Sequence, residues 1–217
     1  MDYSNVIVKK PWGSEYLCYR NDEVAIWFLH IEKDKETSMH CHPNKNTGFV
    51  VLEGKAKLSF LRNSMELKGL DKIHIFRSRF HSTKALTDSF IFEIETPEDK
   101  HDLVRLDDAY GRAGTQYEGK NHHLSKTADC FWIEDAVENP KSLSICGCTV
   151  KHLLITDKSQ LLNNKEEELF VVTKGGIVTE KNEKVVWPGD VIDGKTLHRL
   201  ASAFTFETKT SMIYVNK

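Results

Sequence analysis

The chain has 217 residues, 40% of them hydrophobic and 29% charged, which is material for folded cores in two domains of about 100 residues each. Its 30 basic and 32 acidic residues are mixed along the sequence to a net charge of -2, leaving no basic stripe for a phosphate backbone, so no nucleic-acid partner is expected. No stretch approaches the roughly 18 uninterrupted apolar residues of a membrane span, and Met1-Asp2-Tyr3-Ser4-Asn5-Val6 is not a basic segment followed by an apolar one; the expectation is a cytoplasmic protein with no membrane partner.

In chain order, Lys9-Lys10-Pro11-Trp12-Gly13-Ser14 is a turn signal between two apolar pieces. Glu23 to Ile31 is a strongly β-forming run, and a charged turn follows at residues 32–36. Residues 38 to 54 then open on what reads as a strand, from which His40 and His42 leave one face while Met39 and Cys41 leave the other. Two imidazoles on one face are half a metal site. Further strands are expected at Phe49 to Leu52, broken at Gly54, at Lys55 to Leu61 with alternating Ala56, Leu58 and Phe60, around Ile73 to Phe76, at His81 to Leu86 and at Ser89 to Ile94. His81 opens a strand that can return alongside the first two histidines and is the third candidate ligand. Short strands at regular spacing, with no amphipathic helix, predict an all-β sandwich or barrel.

From Pro97 to about Thr127 the sequence is polar and Gly-containing, a connector with one helical turn near Asp102 to Ala109, expected to lie against the barrels. A second β-rich block follows from Phe131 to Val215, with strands expected, among others, at Thr149 to Ile155, Leu169 to Thr173, Leu197 to Ala201 and Met212 to Val215. Pro188-Gly189-Asp190 and then Leu197-His198 take the places of Gly69-Leu70-Asp71 and then Phe80-His81, which reads as an internal duplication. The division expected is residues 1–112, 113–127 and 128–217. The five cysteines, Cys18, Cys41, Cys130, Cys146 and Cys148, are odd in number and scattered, so reduced thiols are expected.

The first block resembles the cupins, whose motifs are H-x-H, a glutamate, a glycine, and later P-x-G-x-x-H. Here His40-Cys41-His42 is followed at the same spacing by Thr47 in place of the glutamate, then by Gly54; the later proline and glycine are absent before His81. It is similar in particular to the cupin domain of type II phosphomannose isomerases, usually fused to a mannose-1-phosphate guanylyltransferase, in Pro11-Trp12-Gly13 and in the run Asp102-Leu103-Val104-Arg105-Leu106-Asp107-Asp108-Ala109-Tyr110-Gly111-Arg112. The nucleotidyltransferase domain has no counterpart, so guanylyl transfer is not implied. The resemblance implies two tandem cupin-type double-stranded β-helix (jelly-roll) barrels, with His40, His42 and His81 holding one divalent ion, zinc, iron, nickel or manganese, in the first. A hydroxyl at Thr47 leaves the full charge of the ion in place, which favours an anionic or chelating oxygen ligand. The alternative is a pocket in which the three histidines bind water.

In the second block, counting back from the place of Thr47 gives Leu161 and Asn163 or Leu162 and Asn164, depending on whether Gly175 or Gly176 matches Gly54. No H-x-H exists there, and His198 alone reads as structural. Lys10, Arg77, Arg79 and Lys84 are candidates to meet a substrate phosphate, with surface solvation as the alternative for each. Glu93 is a candidate general acid or base if buried beside the metal, and otherwise a solvent-facing residue on a half-buried strand. The resemblance implies a metal-dependent enzyme acting on a sugar phosphate or related anion, of isomerase or epimerase type; a three-histidine Fe(II) oxygenase and a non-catalytic sugar-binding cupin are the alternatives. Exposed sheet edges in cupins commonly lead to dimers, so a homodimer stands beside packing of two barrels within one chain.

Overall fold

The alternating strands close into two units in the computed structural model, which describes residues 2–161 and 164–217. The first comprises the chain up to Arg20 and Ala25–Trp132, the second Asn21–Val24 and Ile133–Lys217. No described helix is long and apolar enough to cross a membrane.

The first unit contains β1 (Val6–Lys10), β2 (Gly13–Arg20), β3 (Ala25–Ile31), β4 (Met39–Cys41), β5 (Asn46–Glu53), β6 (Lys55–Phe60), β7 (Ser64–Lys68), β8 (Lys72–Ile75), β9 (His81–Ala85), β10 (Ser89–Thr96), β11 (Val104–Asp107) and β12 (His123–Ser125). They form two antiparallel sheets, β12-β1-β2-β3-β10-β5-β8 and β11-β4-β9-β6-β7. From β3 to β10 the pairing runs first-eighth-third-sixth in one sheet and second-seventh-fourth-fifth in the other, the strand order of a jelly roll. Side-chain alternation sends Trp27, Ile31, Phe49, Val51 and Ile91 of one sheet inward against Leu58, Leu67 and Ala85 of the other, and these form one core.

Gly54 makes the turn between β5 and β6 at φ 93°, and a Cβ there would lie 2.2 Å from the Asp88 carbonyl oxygen. Gly54→Ala is therefore expected to cost at least about 2 kcal/mol, read as a lower midpoint of urea unfolding.

The second unit contains β13 (Leu143–Ile145), β14 (Cys148–Ile155), β15 (Leu169–Lys174), β16 (Ile177–Val178), β17 (Lys184–Val186), β18 (Val191–Asp193), α1 (Gly194–Ala203), β19 (Thr205–Phe206) and β20 (Thr210–Asn216). Its sheets, β13-β14-β20-β15-β18 and β17-β16-β19, repeat the first unit's order without a counterpart of β4 among the described residues, where the chain makes a 3-10 turn at Lys158–Leu161 instead. Phe170, Val172, Ile192 and Met212 pack there against Ile177, Val186 and Leu197 of the helix.

The duplication extends to single hydrogen bonds. Leu70 N–H donates to the Val51 carbonyl, Val51 N–H to that of Asp71, and Lys68 N–H to the Asp71 carboxylate. Gly189, Val172, Asp190 and Trp187 make the same three bonds in the second unit, with Leu70 and Gly189 both at positive φ. This register matches Gly54 with Gly175, and so Thr47 with Glu168 and His40 with the buried Leu161; Asn163 lies outside the described residues.

Three expectations change. Leu197 to Ala201, read as a strand, lies in α1: Asp193 caps the helix by accepting from Thr196 N–H, and Leu197, Leu200 and Ala201 fall on one helical face. His198 is consequently not the counterpart of His81; its Nε2 meets the Leu161 carbonyl oxygen at 3.0 Å. The helical turn expected near Asp102 is instead β11, which pairs with β4 and places Arg105 opposite His40. Residues 113–127, read as a connector, group with the first unit, where β12 pairs with β1.

Candidate metal centre in a charged pocket

β4 and β9 pair so that His40 lies directly opposite His81, and His42 follows at the end of β4 on the same side. One ligand atom from each of the three imidazoles can be chosen so that all lie within 4.8 Å of one another. Main-chain oxygens orient the rings: Nδ1 of His40 lies 2.7 Å from the Ser38 carbonyl, that of His42 2.6 Å from Asp102 and that of His81 2.9 Å from Arg79. With the Nδ1 proton donated to a carbonyl, each Nε2 carries a free lone pair. Those of His42 and His81 are buried and have no hydrogen-bond partner.

Burial, then the neighbouring His81 and His42, holds His40 well below the usual histidine range. Burial, then Lys45, brings His42 down to about 2, and burial brings His81 to about 4. All three are neutral at pH 7, the form that binds a metal. Unpartnered lone pairs, tethered Nδ1 protons and neutral rings fit a divalent ion held by His40, His42 and His81. Thr47 is buried on β5, and its Oγ1 also has no partner.

Beyond the histidines the pocket is strongly charged. On β10 alternation turns Ile91, Glu93 and Glu95 inward, and all three line it. Lys100 reaches in over the Trp27 ring, 3.7 Å from its centroid, with its Nζ 2.8 Å from Glu95, 3.5 Å from Glu15 and 3.8 Å from Glu93. Lys45 meets the same Glu95 oxygen at 2.8 Å. Burial works against ionised Glu95, but Lys100 and Lys45 outweigh it and hold the carboxyl down at about 2. For Glu93 burial wins over Lys100, and its pKa is pushed up to about 7.

Of the residues singled out in the sequence, His40, His42, His81, Glu93 and Lys10 line this pocket. Arg77, Arg79 and Lys84 do not. Lys84 is exposed because its neighbours Thr83 and Ala85 take the inward positions of β9. Arg77 and Arg79 are exposed in the turn before β9, where Arg79 spreads over the Phe60 ring, 4.1 Å from the centroid, and contributes only its carbonyl to His81.

Unforeseen contributors are Lys45, Glu95, Lys100, Arg105, Arg112 and Tyr117. Glu95 was open to the same parity reading as Glu93. Arg105 and Arg112 are the two arginines of the Asp102 to Arg112 run, whose Asp102 also accepts from the backbone N–H groups of Asn44 and Lys45.

No protein-family model matches the chain, and no curated protein matches it. Similar solved structures include an RmlC-like cupin from Shewanella frigidimarina (17% identity, 43% of this chain and 85% of that one, TM-score 0.41). KdgF from a Halomonas species matches at 14% identity over 42% of this chain and 84% of its own, with a TM-score of 0.40. A candidate sugar phosphate isomerase from Acidithiobacillus ferrooxidans matches at 22% identity over 37% of this chain and 55% of its own, with a TM-score of 0.34. What the chain itself displays is the strand order of a double-stranded β-helix in both units, complete in the first and without a counterpart of β4 among the described residues of the second, with a three-imidazole ligand set inside the first.

Proposed function

We infer that the first unit is a metal-dependent enzyme acting on a sugar phosphate or related anion, of the aldose/ketose isomerase or epimerase type, with mannose 6-phosphate isomerisation as the specific form suggested by the Asp102 to Arg112 run. The observation that carries this reading is the combination, in one pocket, of three neutral tethered imidazoles and a buried carboxylic acid poised at about pH 7. A divalent ion would be held here by His40, His42 and His81 and would supply Lewis acidity toward a carbonyl oxygen. Glu93 is the group that moves the proton, since its pKa of about 7 lets it both take and return one near neutrality. Lys100 lies beside it, 3.8 Å away, and opposes negative charge building up on the acid pair Glu93 and Glu95. The apolar walls Leu29, Ile31 and Ile91 keep water from competing for that proton.

Elemental analysis of the purified chain is expected to find one equivalent of a divalent transition metal, and His40→Ala combined with His81→Ala to find none. With the metal present, solvent deuterium should enter a hexose or pentose phosphate. A metal-loaded protein that exchanges no deuterium into any of them, while consuming oxygen only with added Fe(II), would replace this reading with the oxygenase.

A further inference from the structure

The residues that follow β11 form a strap over the first unit's pocket, and one side chain of the strap is out of keeping with the rest. Between Gly111 and His122 every residue is exposed or partly exposed except Glu118, which is buried. A segment anchored by its only buried side chain normally uses an apolar one; here it is a carboxylate, and three cations hold it. Lys10 Nζ lies 2.5 Å from Glu118 Oε2, while Arg112 Nη1 at 2.5 Å and Arg105 Nη2 at 3.1 Å share Oε1. All three cations line the pocket that contains the histidines.

Two further observations show that one carboxylate is a poor match for this cradle. Arg105, nine-tenths buried, has an Nε with no hydrogen-bond partner. Three positive charges also converge on a single negative one, with Asp108 serving Arg112 from outside and Glu15 divided between Lys10 and Lys100. Two arginines and a lysine around a tetrahedral or planar oxyanion are the donor set that suits a dianion, because their forks offer more N–H groups than one carboxylate can take.

The strap is also built to part from the barrel. Gly111 and Gly114 have positive φ, and a Cβ at either of them or at Gly119 would meet nothing. Apart from Glu118 and the half-buried Tyr117, whose hydroxyl donates to Glu15, the strap is held to the barrel chiefly by Arg105, which donates to the carbonyls of Thr115 and Gln116. Few buried apolar contacts and many exposed backbone groups mark a segment of low local stability.

We propose that Lys10, Arg105 and Arg112 form the binding site for the phosphate monoester of the ligand, and that Glu118 is its internal stand-in, displaced with residues 114–119 of the strap, beyond Arg112, when the phosphate enters. The strap thereby closes the pocket in the absence of ligand, and the incoming dianion opens it by exchanging two negative charges for one. That the ligand is a sugar phosphate rests on the reading given under Proposed function; that the cradle takes a phosphate does not, because it needs neither metal nor turnover.

The test uses inorganic phosphate at pH 7.5 on the full chain, with binding followed by calorimetry and the strap by amide hydrogen exchange. Glu118→Gln, which keeps the shape and removes the competing charge, is expected to bind phosphate about tenfold more tightly than the unaltered chain. Arg112→Gln is expected to bind at least about tenfold more weakly. Saturating phosphate should speed exchange at residues 114–119 of the unaltered chain. The same phosphate affinity is expected after His40→Ala with His81→Ala, so loss of the metal reading leaves this result standing. A folded Glu118→Gln chain that binds phosphate no more tightly, or strap amides unmoved by saturating phosphate, overturns the proposal; should Glu118→Gln fail to fold, the exchange measurement alone decides.

Discussion

Glu95→Ala is expected to lower the stability of the first unit by about 3–5 kcal/mol, because it strips a shared carboxylate from two buried ammonium groups. Lys45 is 2% exposed, and besides Glu95 its Nζ meets the Asp99 carbonyl, at 3.0 Å. Lys100 keeps Glu15 and Glu93 at longer range, so Lys45 bears most of the cost. The loss is a large share of the roughly 5–15 kcal/mol that ordinarily holds a domain together. Urea unfolding checks it: the midpoint falls for Glu95→Ala and recovers in part when Lys45→Met is added, since the second change removes the orphaned charge. The pH dependence has a definite sign. Glu95 is held at about 2 against an ordinary 4.5, so its contribution is present above pH 4.5 and is lost as pH falls through 2. Glu93, raised to about 7, acts in the opposite sense: its ionisation costs the fold stability as pH rises from 4.5 through 7.

Glu93→Gln is expected to lower turnover by about 10²–10⁴-fold while leaving the metal content unchanged. The amide keeps the volume and removes the proton-accepting oxygen. In the unaltered chain kcat/KM should rise with pH through about 7, following the ionisation of Glu93, and that limb should vanish in the variant. The histidines do not produce it, because His42 and His81 lose their protons at about 2 and about 4. A variant with an unchanged pH limb and full activity assigns proton transfer to another group.

Much of the site was legible because strand parity is a local property. His40 and His42 at a spacing of two had to share a face, and a returning strand beginning at His81 brought the third imidazole opposite the first. The same parity condemned Lys84, which alternates with the inward Thr83 and Ala85, and could have admitted Glu95 with Glu93. What could not be read were arrivals from far along the chain. Lys100 and Arg105 reach the pocket from beyond the last jelly-roll strand, and Glu118 from a polar stretch with no periodicity to orient it. In the second unit Leu197 to Ala201 contains both β-compatible and helical spacings; the Asp193 cap decided for the helix, and the histidine it carries left the barrel.

The closest tether of each of the three imidazoles ends on a main-chain oxygen, that of Ser38, Asp102 or Arg79, with the Ser38 hydroxyl adding a longer contact to His40 at 3.3 Å. A main-chain oxygen survives almost any substitution of the residue that bears it. The rim of this pocket is therefore free to vary in sequence, and with it the choice of ligand, while the aim of the ligand set stays fixed by the path of the backbone.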